Sequence, residues 1–421
     1  MTSVKLSPLA RGLITLYTST FLAGMWSMIV PAVPVLANSF GVSAGTGAQI
    51  ITALAAGRFV GMPISGTILD RLGTRVALSA GPALGCAAGI VAATVPWFSL
   101  ILGLVFLMGV AESVWVVARE VSGIDLVRLD QRGRVLSGFH GVNNVGLTLG
   151  PLFGGMLTET FGFRAAFLVY AICAAVSVLI GFSVKNSGAS DLSSASGRAA
   201  ARPYMSRASA RTRWNPAAVR EWLHTLRNLF YQIDPRFRAT YIVLTFATFT
   251  SFVHRVTTQS MLPLYASARL ALTPKEVGLL FTISGVSVFA MILPAGFIID
   301  KIGRKWATVP STGIPAVTFL LIPFTSSFFQ LAILLSFLGI ANGLSLGSLA
   351  TSTYDVAPPR ARGRLQAARR TIAETGSISA PLLGGFLADN FSPGVPFLAY
   401  APLLILSAVL LGLVARETLD R

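Results

Sequence analysis

Charge is scarce in this sequence, and acid is scarcer than base: 12% of the 421 residues are charged, with 16 Asp and Glu against 33 Lys and Arg. An average soluble domain carries about 25% charged residues, so a water-covered globular surface is excluded. Cysteine and histidine are nearly missing as well. Cys86 and Cys173 both fall in apolar stretches, and His140, His224 and His254 are scattered along the chain. Neither a disulfide framework nor a metal motif can be built from them. No lysine follows a glycine, which removes the phosphate-binding loop of nucleotide-hydrolysing proteins. No nucleophile-base arrangement stands out, so the pattern speaks against an enzyme and calls for no cofactor.

What is present is hydrophobic: 53% of the residues, gathered in blocks. A helix of roughly 20 apolar residues crosses a hydrocarbon core of about 30 Å. Twelve such blocks can be read, near 13–36, 47–69, 75–95, 98–120, 136–158, 165–184, 240–265, 275–298, 305–325, 328–354, 366–388 and 394–415. The ten-residue alternating strands of a porin-like barrel are missing. These blocks predict an all-α membrane protein with twelve transmembrane helices, the first a retained helix rather than a cleaved signal. With a cytoplasmic N-terminus, only Arg164, Arg269 and Lys275 fall in outer connections, and Arg58 and Arg255 lie within spans. Nearly all other Lys and Arg then face inward, as the positive-inside rule requires, with both termini cytoplasmic. The net charge of +17 is thereby spread over loops facing anionic lipid, and no nucleic-acid partner is needed to explain it.

A polar stretch over 185–238 divides the chain. Inside it, NPAAVREWLHTLRNLF predicts an amphipathic helix, with Asn215 as cap, Pro216 at the first turn, and Val219, Trp222, Leu223, Leu226 and Phe230 on one face, which suits the inner membrane surface first and a partner-binding site second. Residues 1–184 and 239–421 are two copies of one pattern. An offset of 230 positions carries Gly66, Asp70 and Gly73 onto Gly296, Asp300 and Gly303, Gly109 onto Gly339, RGRV at 132 onto RGRL at 362, and GPLFGG at 150 onto APLLGG at 380. A single offset across separate stretches argues for a duplicated six-helix unit. Since six is even, both copies enter the membrane in the same sense.

Gly66, Asp70, Arg71, Gly73 and Arg75, repeated as Gly296, Asp300, Lys301, Gly303 and Arg304, form a loop that resembles the signature of the major facilitator superfamily. Gly146, Gly150, Pro151, Gly154 and Gly155 resemble the antiporter motif of its twelve-span drug:proton group. The resemblance covers nearly the whole chain outside the linker. It implies two pseudo-symmetric six-helix bundles and a monomer in a membrane, most simply a bacterial inner membrane. It also implies that Asp70 belongs to a latch whose partners are Arg369 and Arg370 on the eleventh helix, with Asp300 facing the fifth helix at His140; the residues by themselves also allow Asp70 to be an anionic cap near a helix end.

Charges in the middle of a span cost about 2.5–3.5 kcal/mol on insertion scales and need a partner or a task. Arg58, Glu112, His254, Arg255 and Glu374 hold such places, while Arg119 and Glu120 read as interfacial. Two readings stand: Arg58 neutralises Glu112 or Glu374 as a buried pair, or a desolvated Glu112 or Glu374, with His254 as a further candidate, takes up and releases a proton. Tyr17, Phe21, Trp26, Trp115, Phe252 and Tyr265 offer aromatic surface, and Asn143, Asn144, Gln259 and Asn342 offer hydrogen bonds. An apolar wall with few polar anchors suits an amphipathic organic molecule. The expected function is secondary transport of such a molecule, as proton-coupled efflux. The alternatives are a carrier of an anionic metabolite or lysolipid, and a receptor that does not transport.

Overall fold

The computed structural model describes residues 8–128, 132–183, 230–358 and 361–419. Twelve helical spans run in chain order. They are α1 (Pro8–Gly24, continued by a 3₁₀ stretch Met25–Ala32 and by Val33–Ser39), α2 (Ala44–Leu72), α3 (Thr74–Thr94), α4 (Phe98–Asp125), α5 (Arg132–Phe161) and α6 (Phe163–Ser183). After the linker come α7 (Arg238–Leu270), α8 (Pro274–Phe297 with a π-turn at Ile298–Ile302), α9 (Arg304–Leu321), α10 (Phe328–Val356), α11 (Arg362–Asn390) and α12 (Val395–Leu413). No strand occurs among the described residues. Most of the helices overrun the apolar blocks, because the helical hydrogen-bond ladder continues past the hydrocarbon edge into polar sequence. The expected amphipathic helix from Asn215 lies outside the described residues, apart from Phe230, which stands 6.2 Å from the ring of Tyr241.

Nine of these spans are long and apolar enough to cross a membrane by composition. The other three, α5, α7 and α11, carry Asn143 and Asn144, His254 and Arg255, and Arg369, Arg370 and Glu374, so their lower apolarity marks where polar side chains concentrate. Large apolar side chains such as Leu293, Phe386 and Leu413 are exposed on the helix surfaces. That inverts the soluble rule and suits a lipid solvent.

Residue contacts divide the chain into two compact units. The first holds the residues up to Ala32 and those from Ala53 through α6; the second holds Val33–Thr52 together with α7 to α12. Inside the first unit a core forms from Leu16, Leu69, Leu78, Val114, Val135 and Phe139. A core of the second unit is built from Val243, Leu244, Ala247, Leu349 and Leu411.

The duplication is visible in the packing. A Cβ on Gly109 of α4 would strike the carbonyl oxygen of Leu54 and the backbone of Gly57 on α2, and one on Gly339 of α10 would strike the carbonyl oxygen of Ser284 and the side chain of Ser287 on α8. These are equivalent positions at the 230-residue offset, and both are close crossings that only small residues permit. Sharp loops follow the same logic. Gly73, at φ +83°, is the single residue between α2 and α3, and Gly303, at φ +149°, is the single residue between the π-turn and α9. Both angles are ones that residues with a Cβ rarely adopt. Threonine 273 begins α8 with a capping box to Glu276.

Candidate functional site

In the first unit the 3₁₀ stretch Met25–Ala32 of α1 lies against the glycines of α5. A Cβ on Gly146 would meet the carbonyl oxygen of Phe21, one on Gly150 the Oγ of Ser27, and one on Gly154 the backbone of Met28. The spacing of four puts these glycines in one row, with Pro151 and Gly155 buried beside it. The tight approach, with Pro31 inside the stretch, holds Trp26 in place. Over that ring, at 4.2 Å from its centroid, sits the guanidinium of Arg58 from α2. Arg58 Nε donates to Glu112 Oε2 of α4 at 2.7 Å, a charge-assisted bond. Ser113 Oγ donates to the Arg58 carbonyl at 2.7 Å. Of the two partners anticipated for Arg58, the structure selects Glu112.

Glu374 pairs instead with Arg370, one turn earlier on α11, at 3.8 Å. Arg119 departs from its interfacial reading: it is 4% exposed, and its Nη2 donates to Asn143 Oδ1 at 3.3 Å. Its place near the end of an apolar block hid this, because the helix runs on to Asp125. Trp115 is also enclosed, with its indole N–H bonded to Ser19 Oγ at 2.8 Å, so its ring packs the unit and offers little surface to a ligand. Tyr17 packs against Phe139 with ring centroids 5.0 Å apart and the rings tilted by 57°, and Phe21 and Asn144 are half-buried.

In the second unit a different cluster forms. His254 and Arg255 on α7 both reach Asn342 on α10: His254 Nε2 lies 3.2 Å from Asn342 Oδ1, and Arg255 Nε donates to the same oxygen at 2.9 Å. Arg255 Nη2 also donates to Ser345 Oγ. Gln259 is half-buried one turn further along α7. Tyr265 belongs to the core rather than to a binding wall, since its hydroxyl donates to the Ile322 carbonyl at 2.9 Å.

The signature loop of the second unit is tied down within that unit. Arg304 donates to Asp300 at 2.9 Å and to Asp355 at 3.1 Å. The backbone N–H groups of Arg304 and Lys305 point at the Glu417 carboxylate, at 2.9 and 3.1 Å. Partial burial acts to raise the pKa of Glu417, but these N–H donors, with those of Thr418 and Leu419, outweigh it and hold the carboxyl below its ordinary value. Neither Asp355 nor Glu417 was visible as a site residue beforehand, since they act from 51 and 113 positions away. Lys301 and His140 are exposed, as are Arg71 and Arg75; Arg75 donates to the Phe182 carbonyl at 3.0 Å. The side chain of Asp70 lies outside the described residues. Arg369, an expected latch partner, is buried in its own unit, donating to Thr248 Oγ1 at 2.8 Å and to Gln366 Oε1 at 3.1 Å. A Cβ at Gly66 or Gly296 would meet no described atom within 4 Å.

The model of the Major Facilitator Superfamily matches residues 15–265 and 244–420. The chain belongs to this superfamily. Among curated relatives, the multidrug resistance protein MdtG of Enterobacter lignolyticus is 22% identical, over 97% of this chain and 93% of that protein. MdtG of Escherichia fergusonii is 21% identical, over 95% and 93%. Among solved structures, a D-xylose-proton symporter is similar with a TM-score of 0.73 and 16% identity, covering 96% of this chain and 98% of its own. A peptide transporter crystallised with sulfate gives 0.75 and 14%, covering 96% and 94%. This superfamily member is therefore a multi-pass integral membrane protein and a secondary transporter, with the two-times-six helix fold and not an enzyme fold.

Proposed function

We propose that the protein exports a small amphipathic organic molecule by alternating access, driven by proton influx, from a bacterial inner membrane with both termini on the cytoplasmic side. The observation that carries this reading is the Arg58–Glu112 pair: a carboxylate within a span, bonded at 2.7 Å to a guanidinium that rests on an aromatic ring. Protonation of Glu112 removes its charge and frees Arg58, so the proton changes the electrostatics of the unit. Glu374 is the second carboxylate available for such a step, and the relatives named multidrug resistance proteins support the export direction. The signature loops and Arg370 act on gating, and lipid anions hold the basic loops.

The test is reconstitution in proteoliposomes, with amphipathic fluorescent compounds of each charge and an imposed pH gradient. Gradient-driven movement that Glu112→Gln abolishes is the expected result. Transport that ignores the gradient in the unmodified protein would overturn proton coupling and leave a facilitative carrier.

A further inference from the structure

The acceptor positions of the two polar clusters are related by the repeat, whereas their arginines come from non-equivalent places, since the offset carries Arg58 onto Val288 and Met25 onto Arg255. The 230-residue offset carries Glu112 onto Asn342, and the neighbouring Gly109 and Gly339 make the same close crossing in each unit. The same place on α4 and on α10 therefore faces an arginine from another helix of its unit, Arg58 in one case and Arg255 in the other. The first arginine meets a carboxylate. The second meets an amide, and its other partner, Ser345, is neutral too. Among the described residues no carboxylate oxygen lies within 4 Å of the Arg255 guanidinium, and the nearby helix α11 commits Glu374 to Arg370. A guanidinium in the middle of a span without a counter-charge is the costly arrangement of membrane proteins.

The arrangement around it is built to donate. Asn342 Oδ1 already accepts from Arg255 and stands 3.2 Å from His254 Nε2, which leaves the amide nitrogen as the donor of that side chain. Among the described residues neither that nitrogen nor Arg255 Nη1 has a hydrogen-bond acceptor. His254 is 1% exposed, and its ring stands edge-on to Phe319 at 6.3 Å, which braces α7 beside the site. The ensemble is a fixed, cationic set of donors that lacks only an acceptor bearing negative charge.

We propose that Arg255 and Asn342 form an anion-binding site, and that the group it takes is the sulfonate, carboxylate or phosphate of an amphipathic substrate. This inference rests on the transport reading above and adds the charge of what is carried: at the repeat-equivalent place α4 offers its arginine a carboxylate, and α10 offers only an amide. The substrate's own anionic group then completes the pairing that the chain leaves open.

The experiment uses the purified full chain and reads tryptophan fluorescence and thermal unfolding with three probes: 1-naphthalenesulfonate, the uncharged 1-naphthalenesulfonamide, and sodium sulfate. Expected is binding of the sulfonate about tenfold tighter than of the sulfonamide, the scale of one charge-assisted hydrogen bond. Arg255→Gln should erase that preference. Because this variant could misfold, Asn342→Asp provides the second arm: it installs the missing carboxylate beside Arg255, should fold at least as well, and should also lose the preference. Competition by sulfate at matched ionic strength would assign the same site to inorganic anions, while its failure would assign it to organic ones. Equal affinity for the sulfonate and sulfonamide, or a preference that survives in Asn342→Asp, overturns the proposal. Since binding needs no gradient, a failure here is separable from a failure of proton-driven transport.

Discussion

A guanidinium and a carboxylate 2.7 Å apart within a helical bundle depend on each other, because either one alone becomes an unpaired charge in an apolar place. Glu112→Leu alone is therefore expected to destabilise by about 1–3 kcal/mol, below the 3–5 kcal/mol of fully buried pairs because Arg58 keeps some exposure. The double variant Arg58→Met/Glu112→Leu should recover much of that loss. Scanning fluorimetry on the three proteins checks this, and equal melting shifts for the single and double variants would show no coupling. Glu417 acts at the same scale but outside the membrane. Its folded pKa lies below its ordinary value, so its contribution is full above about pH 4.5 and disappears as pH falls through the depressed folded value. Glu417→Gln should accordingly lower the melting temperature by a constant amount above about pH 5.5, with the difference closing in more acid buffer. The intramembrane charges were legible in the sequence because a charged residue inside an apolar run is conspicuous. Glu417 was not, because its role is to accept backbone N–H groups from a turn 113 residues away, and no residue pattern records that.

For whole elements, the decisive contact is α5 against the 3₁₀ stretch of α1. Gly154 has no room for a side chain beside Met28, whereas Gly141, on the same helix, has no described atom within 4 Å of a Cβ. Gly154→Val should cost about 1–3 kcal/mol through overpacking, and Gly141→Val far less. Thermal melts of the two variants compare them directly; similar losses would mean that helix propensity, and not the close crossing, sets the effect. The twelve helices were readable as apolar blocks, although only nine of them stand out by length and apolarity, and glycine spacing pointed to a packed face on α5. The break of α1 into a 3₁₀ segment was not readable, since it arises where Pro31 and the glycine row of another helix act on the same stretch. The π-turn carrying Asp300 is similar: the first copy of the signature loop keeps α geometry through Leu72 and the second does not, although their sequences match closely.

Taken as a whole, the molecule does not divide where its repeat divides. Val33–Thr52, from the first copy, packs with the second unit. There Asp389, near the end of α11, accepts from Ser43 Oγ and from the Gly45 backbone N–H, both at 2.7 Å, at the start of α2. A carboxylate at a helix N-terminus satisfies an orphan donor and complements the helix dipole. Asp389→Ala should loosen the first turn of α2 by about 0.5–2 kcal/mol, measured as faster amide exchange over residues 44–48 with little change in α12. Unchanged exchange over those residues would show the cap to be dispensable.

Hydrophobic block length, one recurrent offset and a biased distribution of arginine were enough to establish the membrane setting, the twelve helices and the duplication, because each is a local or periodic property of the chain. Which charges pair was decided only by tertiary structure. Glu112 takes Arg58, Glu374 takes Arg370, and Arg255 takes an amide, since ion pairing depends on how helices rotate and approach across distances that sequence separation does not encode.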